Sequence, residues 1–250
     1  KLAGYDLING TPFDVDITDY VAVGKSNSIA VRITDPNGNF DWRDSSNYMW
    51  GDYRTNPTHG FGGITGKVSL VATDNVFIND IFIRNKPEAN EIDAEISLTN
   101  TTSTTFKGSV LLEVREKKSG KQVWEKSFPI EAGTGDNTPQ PFAIKVDNAN
   151  LWDVDNPNLY VLKASLKNDK DIKDIIEKKF GFRWFEVKEV NGDKQFYLNG
   201  KRIVVRTAIS WGFWPINGIA PSDELAKKQI ADAKAVGLNL HIVQVGQIGR

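Results

Sequence analysis

Cysteine is absent from this 250-residue chain, which excludes disulfides and thiolate metal sites. That absence leaves the compartment open, with a periplasmic or extracellular location as the working expectation. Histidine is scarce: there are two. His59 sits in a Pro-Thr-His-Gly turn, where a loop hydrogen bond is its expected role. His241 lies inside an apolar run and reads as a core residue. Two separated histidines without a thiolate do not make a transition-metal ligand set. No apolar run approaches the roughly 20 residues of a membrane span. Neither sign of charge dominates, and a net charge of −1 argues against a nucleic-acid partner, which would need a basic face. A secretory leader, an internal repeat and a low-complexity tract are all missing. Residue 1 is Lys and runs straight into Tyr5-Asp6, so the chain reads as a piece of a longer protein.

What is present is ordinary globular material, 40% hydrophobic and 25% charged, enough for one to three domains. Residues 1–75 read as β. Phe13-Asp14-Val15-Asp16-Ile17 and Ser28-Ile29-Ala30-Val31-Arg32-Ile33 alternate apolar and polar at period two, and Val68-Ser69-Leu70-Val71-Ala72 is a third strand. The connection over residues 34–66 is far longer than usual and rich in aromatics, glycines and polar residues. A few strands with one huge loop look like the back part of a β-sandwich.

Residues 76–186 carry about seven strand patterns: 76–84, 91–100, 109–116, 122–130, 142–146, 160–166 and 175–183. Turn-rich pieces such as Lys118-Ser119-Gly120 separate them, and this spacing predicts an immunoglobulin-like sandwich. From about residue 187 the pattern shifts to β/α. A strand is expected in Phe196-Tyr197-Leu198-Asn199-Gly200-Lys201-Arg202-Ile203-Val204-Val205-Arg206. A helix follows over 222–236, with Ser222 as N-cap, Asp223 and Glu224 in its first turn and Gly237 as its stop. Residues 238–245 form an apolar strand. Strand, helix and strand with short connections open a parallel α/β domain. Closing such a domain as an eight-fold barrel takes about 250 residues. The expected fold is therefore mainly β: a partial jelly-roll, an immunoglobulin-like β-sandwich, then the first β-α-β of a truncated (β/α)8 barrel.

Five motifs, in this order, resemble glycoside hydrolase family 2, the group of β-galactosidases, β-glucuronidases and β-mannosidases. Gly4-Tyr5 with Pro12-Phe13-Asp14-Val15-Asp16-Ile17-Thr18 resembles a segment of its jelly-roll. Phe61-Gly62-Gly63-Ile64 with Val68-Ser69-Leu70 resembles the strand closing that domain. Leu151-Trp152 with Asn156-Pro157-Asn158-Leu159-Tyr160, and Phe180-Gly181-Phe182-Arg183, match its immunoglobulin-like domain. Phe196-Tyr197-Leu198-Asn199-Gly200-Lys201 and Gly237-Leu238-Asn239 match the start of its barrel. The resemblance implies three pieces: residues 1–75 from a jelly-roll sugar-binding domain, 76–186 as the sandwich and 187–250 as the beginning of the catalytic barrel.

The same resemblance implies a retaining exo-β-glycosidase, β-galactosidase-like, acting on terminal β-linked sugars through two glutamates about 5 Å apart. In the family's order both glutamates lie beyond Arg250, so no catalytic residue is assigned in this chain and the fragment is expected to be inactive. Sugars offer C–H faces to aromatic rings and hydroxyls to carboxylates, so a binding loop needs both residue types together. Two loops qualify as substrate-binding candidates. One carries Asp41, Trp42, Asp44, Trp50 and Asp52, and the other carries Trp211, Trp214 and Asn217. For each loop, packing of the aromatics into the fold is the competing reading. Ile209-Ser210-Trp211-Gly212 departs from the family's Asn-Arg-His-Glu, and Gly237-Leu238-Asn239-Leu240-His241-Ile242 lacks its usual Arg. No cofactor is expected. Carboxylates of the long loop could hold a Ca or Na ion, but nothing fixes their spacing. The expected partner is a carbohydrate, with no nucleic acid and no membrane, and a homo-oligomer is compatible with the reading. The alternative is a non-catalytic carbohydrate-binding or structural β-sandwich module.

Overall fold

The computed structural model describes residues 1–6, 12–33, 49–50, 53–54, 63–64, 66–169, 171–210 and 222–243, with backbone alone for 49–50, 53–54, 209–210 and 241–243. Two compact units result, residues 70–204 and a second assembled from 1–69 with 205–250.

In the first unit, β3 (Val76–Asn85), β4 (Glu91–Asn100) and β8 (Gln140–Lys145) form one antiparallel sheet, with the two-residue β7 (Gly135–Asp136) also on β4. The second sheet runs β10 (Asp171–Phe180), β9 (Tyr160–Asn168), β5 (Phe106–Glu116), β6 (Gln122–Ala132). This is the immunoglobulin-like sandwich expected from the strand spacing. Strand β4 shows how the sequence drives it. Ile92, Ala94, Ile96 and Leu98 are buried while the residues between them are half-exposed, so every second side chain enters the core. Leu112, Leu162, Leu166 and Phe182 meet them from the other layer's strands and their continuation. Burying each such side chain stabilises the fold by roughly 1.5–3 kcal/mol relative to exposure. On the outer face the alternate charges pair across strands, Lys86 with Asp93 at 2.9 Å and Arg84 with Glu95 at 2.8 Å.

The open edges of the two sheets are managed locally. Among the described residues β6 pairs only with β5, and it carries Pro129 and three charged residues, Glu125, Lys126 and Glu131, which discourage a further strand. Where β3 and β10 come together, each strand has a bulge, after Ile78 and after Ile172. The Asp174 carboxylate accepts the Ile78 N–H at 2.9 Å and the Ile175 N–H at 2.8 Å, giving partners to amides near the bulges. Tyr160, at the start of β9, accepts the Asn150 N–H on its hydroxyl at 2.8 Å. A tyrosine there, bonded to backbone upstream, is a recurrent corner of such sandwiches.

After the sandwich come β11 (Phe185–Val190), β12 (Asp193–Leu198) and β13 (Lys201–Arg202), a small antiparallel sheet. Both of its turns are Asn-Gly. Asn191 and Gly192 have φ of 54° and 84°, and Asn199 and Gly200 have 52° and 74°. Positive φ at both central residues is the requirement of a type I′ turn. The strand expected across 196–206 is thus split: its first half is β12, and the turn at Asn199-Gly200 folds the chain back into β13.

In the second unit the parallel strands are β14 (Thr207–Ser210) and β15 (Leu240–Val243), separated by helix α1 (Asp223–Ala235). Also here are a 3₁₀ turn at Thr18–Tyr20 and a two-residue hairpin, β1 (Met49–Trp50) with β2 (Tyr53–Arg54). The strands expected at 13–17, 28–33 and 68–72 do not form: these residues are extended or irregular, and no ladder holds them among the described residues. Alternation marks the face a strand would bury, but the ladder requires a neighbouring backbone.

Candidate functional site

The geometry most suited to a binding site is the parallel strand–helix–strand of the second unit. Thr207 pairs with Leu240, Ala208 with His241, Ile209 with Ile242 and Ser210 with Val243. The origin of this pair is pinned by Asn239: its Oδ1 accepts the Arg206 N–H at 2.8 Å, while the Asn239 and Leu240 N–H groups both donate to the Arg206 carbonyl. Helix α1 begins at Ser222, whose hydroxyl accepts the Leu225 N–H at 3.3 Å, and Asp223 and Glu224 face the helix dipole from its first turn. It stops at Gly237, φ 80°, with Gly237 N–H donating to Lys234 O and Leu238 N–H to Ala233 O. Those two bonds make a Schellman cap. The Gly-Leu-Asn motif therefore has a local physical meaning: the glycine ends the helix and the asparagine registers the next strand. In parallel β/α architectures, ligands gather outside the carboxyl ends of the strands. Here that is where the chain leaves Ser210 towards residues 211–221.

Of the substrate-binding candidates, Asp41, Trp42, Asp44, Asp52, Trp211, Trp214 and Asn217 lie outside the described residues. Trp50 is placed by its backbone, opposite Tyr53 in the β1–β2 hairpin. The described residues thus bring none of the candidates together. Among the described residues, no three of His, Cys, Asp and Glu are grouped to hold a metal ion.

The motifs at 151–160, 180–183 and 196–201 do converge, at one end of the sandwich. Asn199 is the hub. Its Nδ2 donates to the Trp152 carbonyl at 2.8 Å, its Oδ1 accepts the Trp184 N–H at 3.1 Å, and its own N–H donates to the Trp184 carbonyl at 2.9 Å. Trp152 N–H donates in turn to the Phe182 carbonyl at 2.9 Å, and the Arg183 guanidinium lies 4.3 Å from the centre of the Trp152 ring. Gly181 is needed for this closeness: a Cβ there would stand 2.9 Å from that of Trp152. Tyr160, Phe180 and Phe182 pack edge-on or tilted beneath, with centroids 5.0–5.8 Å apart. Arg183 thus has its cation engaged on Trp152.

The electrostatics around this end are set by local pairing. Lys188, with help from the Trp184 indole N–H, holds the Glu186 carboxyl below its ordinary range against an opposing cost of burial. The backbone N–H groups of Asn156 and Asp155 do the same for Asp153. On the sheet of β5 and β9, burial pushes the Glu113 carboxyl up, but Lys163 at 3.1 Å and Arg115 outweigh it and the net shift is downward. Each of these groups is matched by partners within the fold, the pattern of structural carboxylates.

Sequence reading missed Asn199 as a hub and Asp174 as the link between sheet edges. Asn199-Gly200 falls inside the run 196–206 in which a single strand is expected, and nothing local says that this asparagine reaches a carbonyl 47 residues away.

Residues 76–183 match the family model for Glycosyl hydrolases family 2. A curated beta-galactosidase from Thermoanaerobacterium thermosulfurigenes is 28% identical over 239 residues, covering 93% of this chain and 31% of that protein. A beta-glucuronidase from Formosa agariphila is 25% identical over 221 residues, covering 84% of this chain and 22% of that protein. A solved glycosyl hydrolase family 2 member from Bacteroides cellulosilyticus DSM 14838 superposes with a TM-score of 0.63 at 22% identity, over 71% of this chain and 24% of that one. The chain spans less than a third of the length of these relatives.

Proposed function

Because the chain belongs to glycosyl hydrolase family 2, we propose that it is part of a retaining exo-β-glycosidase, β-galactosidase-like, that removes terminal β-linked sugars from oligosaccharides. In this reading residues 1–75 are jelly-roll, 76–186 the immunoglobulin-like sandwich and 187–250 the beginning of a (β/α)8 barrel. The observation that carries it is the parallel β14–α1–β15 unit following the sandwich, since a free-standing binding module has no use for half of an α/β layer.

Retaining hydrolysis needs two carboxyl groups about 5 Å apart, one as nucleophile and one as acid and then base. Neither Thr207–Ser210 nor Leu240–Val243 carries a carboxylate. In the order that the resemblance implies, the catalytic pair lies on later barrel strands, beyond Arg250. The contribution assigned here is recognition: Trp211, Trp214 and Asn217 on the loop leaving β14, and the segment with Asp41, Trp42, Asp44, Trp50 and Asp52 presenting rings to sugar C–H faces and carboxylates to hydroxyls.

The test is hydrolysis of a panel of p-nitrophenyl β-glycosides by this chain and by a longer protein that contains it. Turnover by the longer protein alone is the expected result and names the sugar. Turnover by the 250 residues alone would place the carboxylates within them, and silence from both would favour a non-catalytic carbohydrate-binding module.

A further inference from the structure

The sheet β11–β12–β13 contains a natural control experiment. Its two turns share the dipeptide Asn-Gly, the two-residue length and left-handed φ at both residues. They differ in what surrounds the asparagine. Asn191 is exposed, and its side chain has no hydrogen-bond partner among the described residues. Nothing lies within 4 Å of the position a Cβ would take on Gly192. Asn199 has both amide atoms engaged, by the Trp152 carbonyl at 2.8 Å and the Trp184 N–H at 3.1 Å. The Trp184 ring stands 3.5 Å from the corresponding position on Gly200.

We infer that Asn191 is a site of spontaneous deamidation in the folded protein and that Asn199, in the same dipeptide and turn, is shielded from it. In the reaction the Gly192 backbone nitrogen attacks Cγ of Asn191. The new N–C bond closes a five-membered imide as the bond from Cγ to the side-chain nitrogen breaks, and that nitrogen departs as ammonia with the proton from the Gly192 amide. Water then opens the imide at either carbonyl, leaving aspartate or isoaspartate, and no oxidant or reductant takes part. An amide side chain that is free to turn and a backbone nitrogen that is open to approach are the two requirements, and Asn191-Gly192 meets both. Ring closure at Asn199 must first break two hydrogen bonds and move past an indole. The isoaspartate product matters to the fold: at 191 it lengthens the main chain inside a two-residue turn that sets the β11–β12 register.

The experiment is incubation of the full chain in mildly alkaline buffer, followed by proteolysis and peptide mass spectrometry, with the same chain in urea as control. In urea the two sites should convert at similar rates. In the folded protein Asn191 should convert on the order of thirtyfold faster than Asn199, the factor that two net hydrogen bonds represent. Equal rates in the folded protein, faster loss at Asn199, or no conversion at Asn191 while the urea control converts would each overturn the inference. The variants separate shielding from chance: N199D should lower the melting temperature and N191D should leave it unchanged. A neutral N199D would show that the amide contacts at Asn199 hold nothing in place. The other Asn-Gly pairs, at Asn9, Asn37 and Asn217, lie outside the described residues and form no part of the comparison.

Discussion

Residues 28–33 and strand β4 carry the same alternation of apolar and polar side chains, and their fates are opposite. In β4, Ile92, Ala94 and Ile96 are fully buried, whereas Ile29, Val31 and Ile33 are 72%, 59% and 51% exposed. β4 lies between β3 and β8 and faces a second sheet, while residues 28–33 have no ladder partner among the described residues. The hydrophobic gain depends on area removed from water, and a pattern only says which area is on offer. A strand becomes a strand when another backbone takes its hydrogen bonds and another layer takes its face.

Substitutions can break that contrast. The largest effect is predicted at Ile96: truncation to alanine should cost about 3–4 kcal/mol in urea melts of the sandwich, as lost transfer energy plus a cavity. Val31→Ala should cost less than about 0.5 kcal/mol in the same assay, because its side chain is already in water. A comparable cost at both positions would refute the contrast. Next in size, Gly181→Ala should cost about 2 kcal/mol, since the added carbon crowds Trp152 and the Asn158 carbonyl, and loss of the Trp152 contacts should show in tryptophan fluorescence. Tyr160→Phe should cost about 1–2 kcal/mol by leaving the half-buried Asn150 N–H without its acceptor, with faster exchange of that amide as the local readout.

The smallest effect is one of pH. Lys163 and Arg115 keep the Glu113 carboxyl below its usual 4.5 although burial opposes them. A carboxyl with a lowered folded-state value contributes stability that is present above 4.5 and lost as pH falls through that lower value. Glu113→Gln should therefore lower stability above pH 5 by the contribution of the pair and remove part of the acid-side loss. An unchanged acid limb would show that the pair contributes nothing there.

Much of the sandwich was legible before any coordinates. Its seven strands lie where period-two runs and turn clusters place them, because a strand buried on one face must repeat every two residues. The two-residue β7 was invisible, being too short to show a period and held by β4 alone. The long pattern at 196–206 misled for a different reason: apolar residues continue through it, but Asn199-Gly200 adopts left-handed φ and turns the chain. Of the candidate site, α1 could be read to its caps, since Ser222 and Gly237 act within one turn of the helix. The convergence of Trp152, Arg183 and Asn199 could not be read, for contacts across 31 and 47 residues leave no local trace.

The sequence by itself determined the mainly β architecture, the ends of α1 and the family. All of these rest on periodicity, backbone conformational preference or motif order, which act over a few residues at a time. Only the tertiary structure decided which alternating stretches became strands, which edge amides Asp174 would satisfy and which of two identical turns has its asparagine held. Those outcomes depend on distant backbone arriving within hydrogen-bond reach, and the free energy of such contacts belongs to the assembled fold.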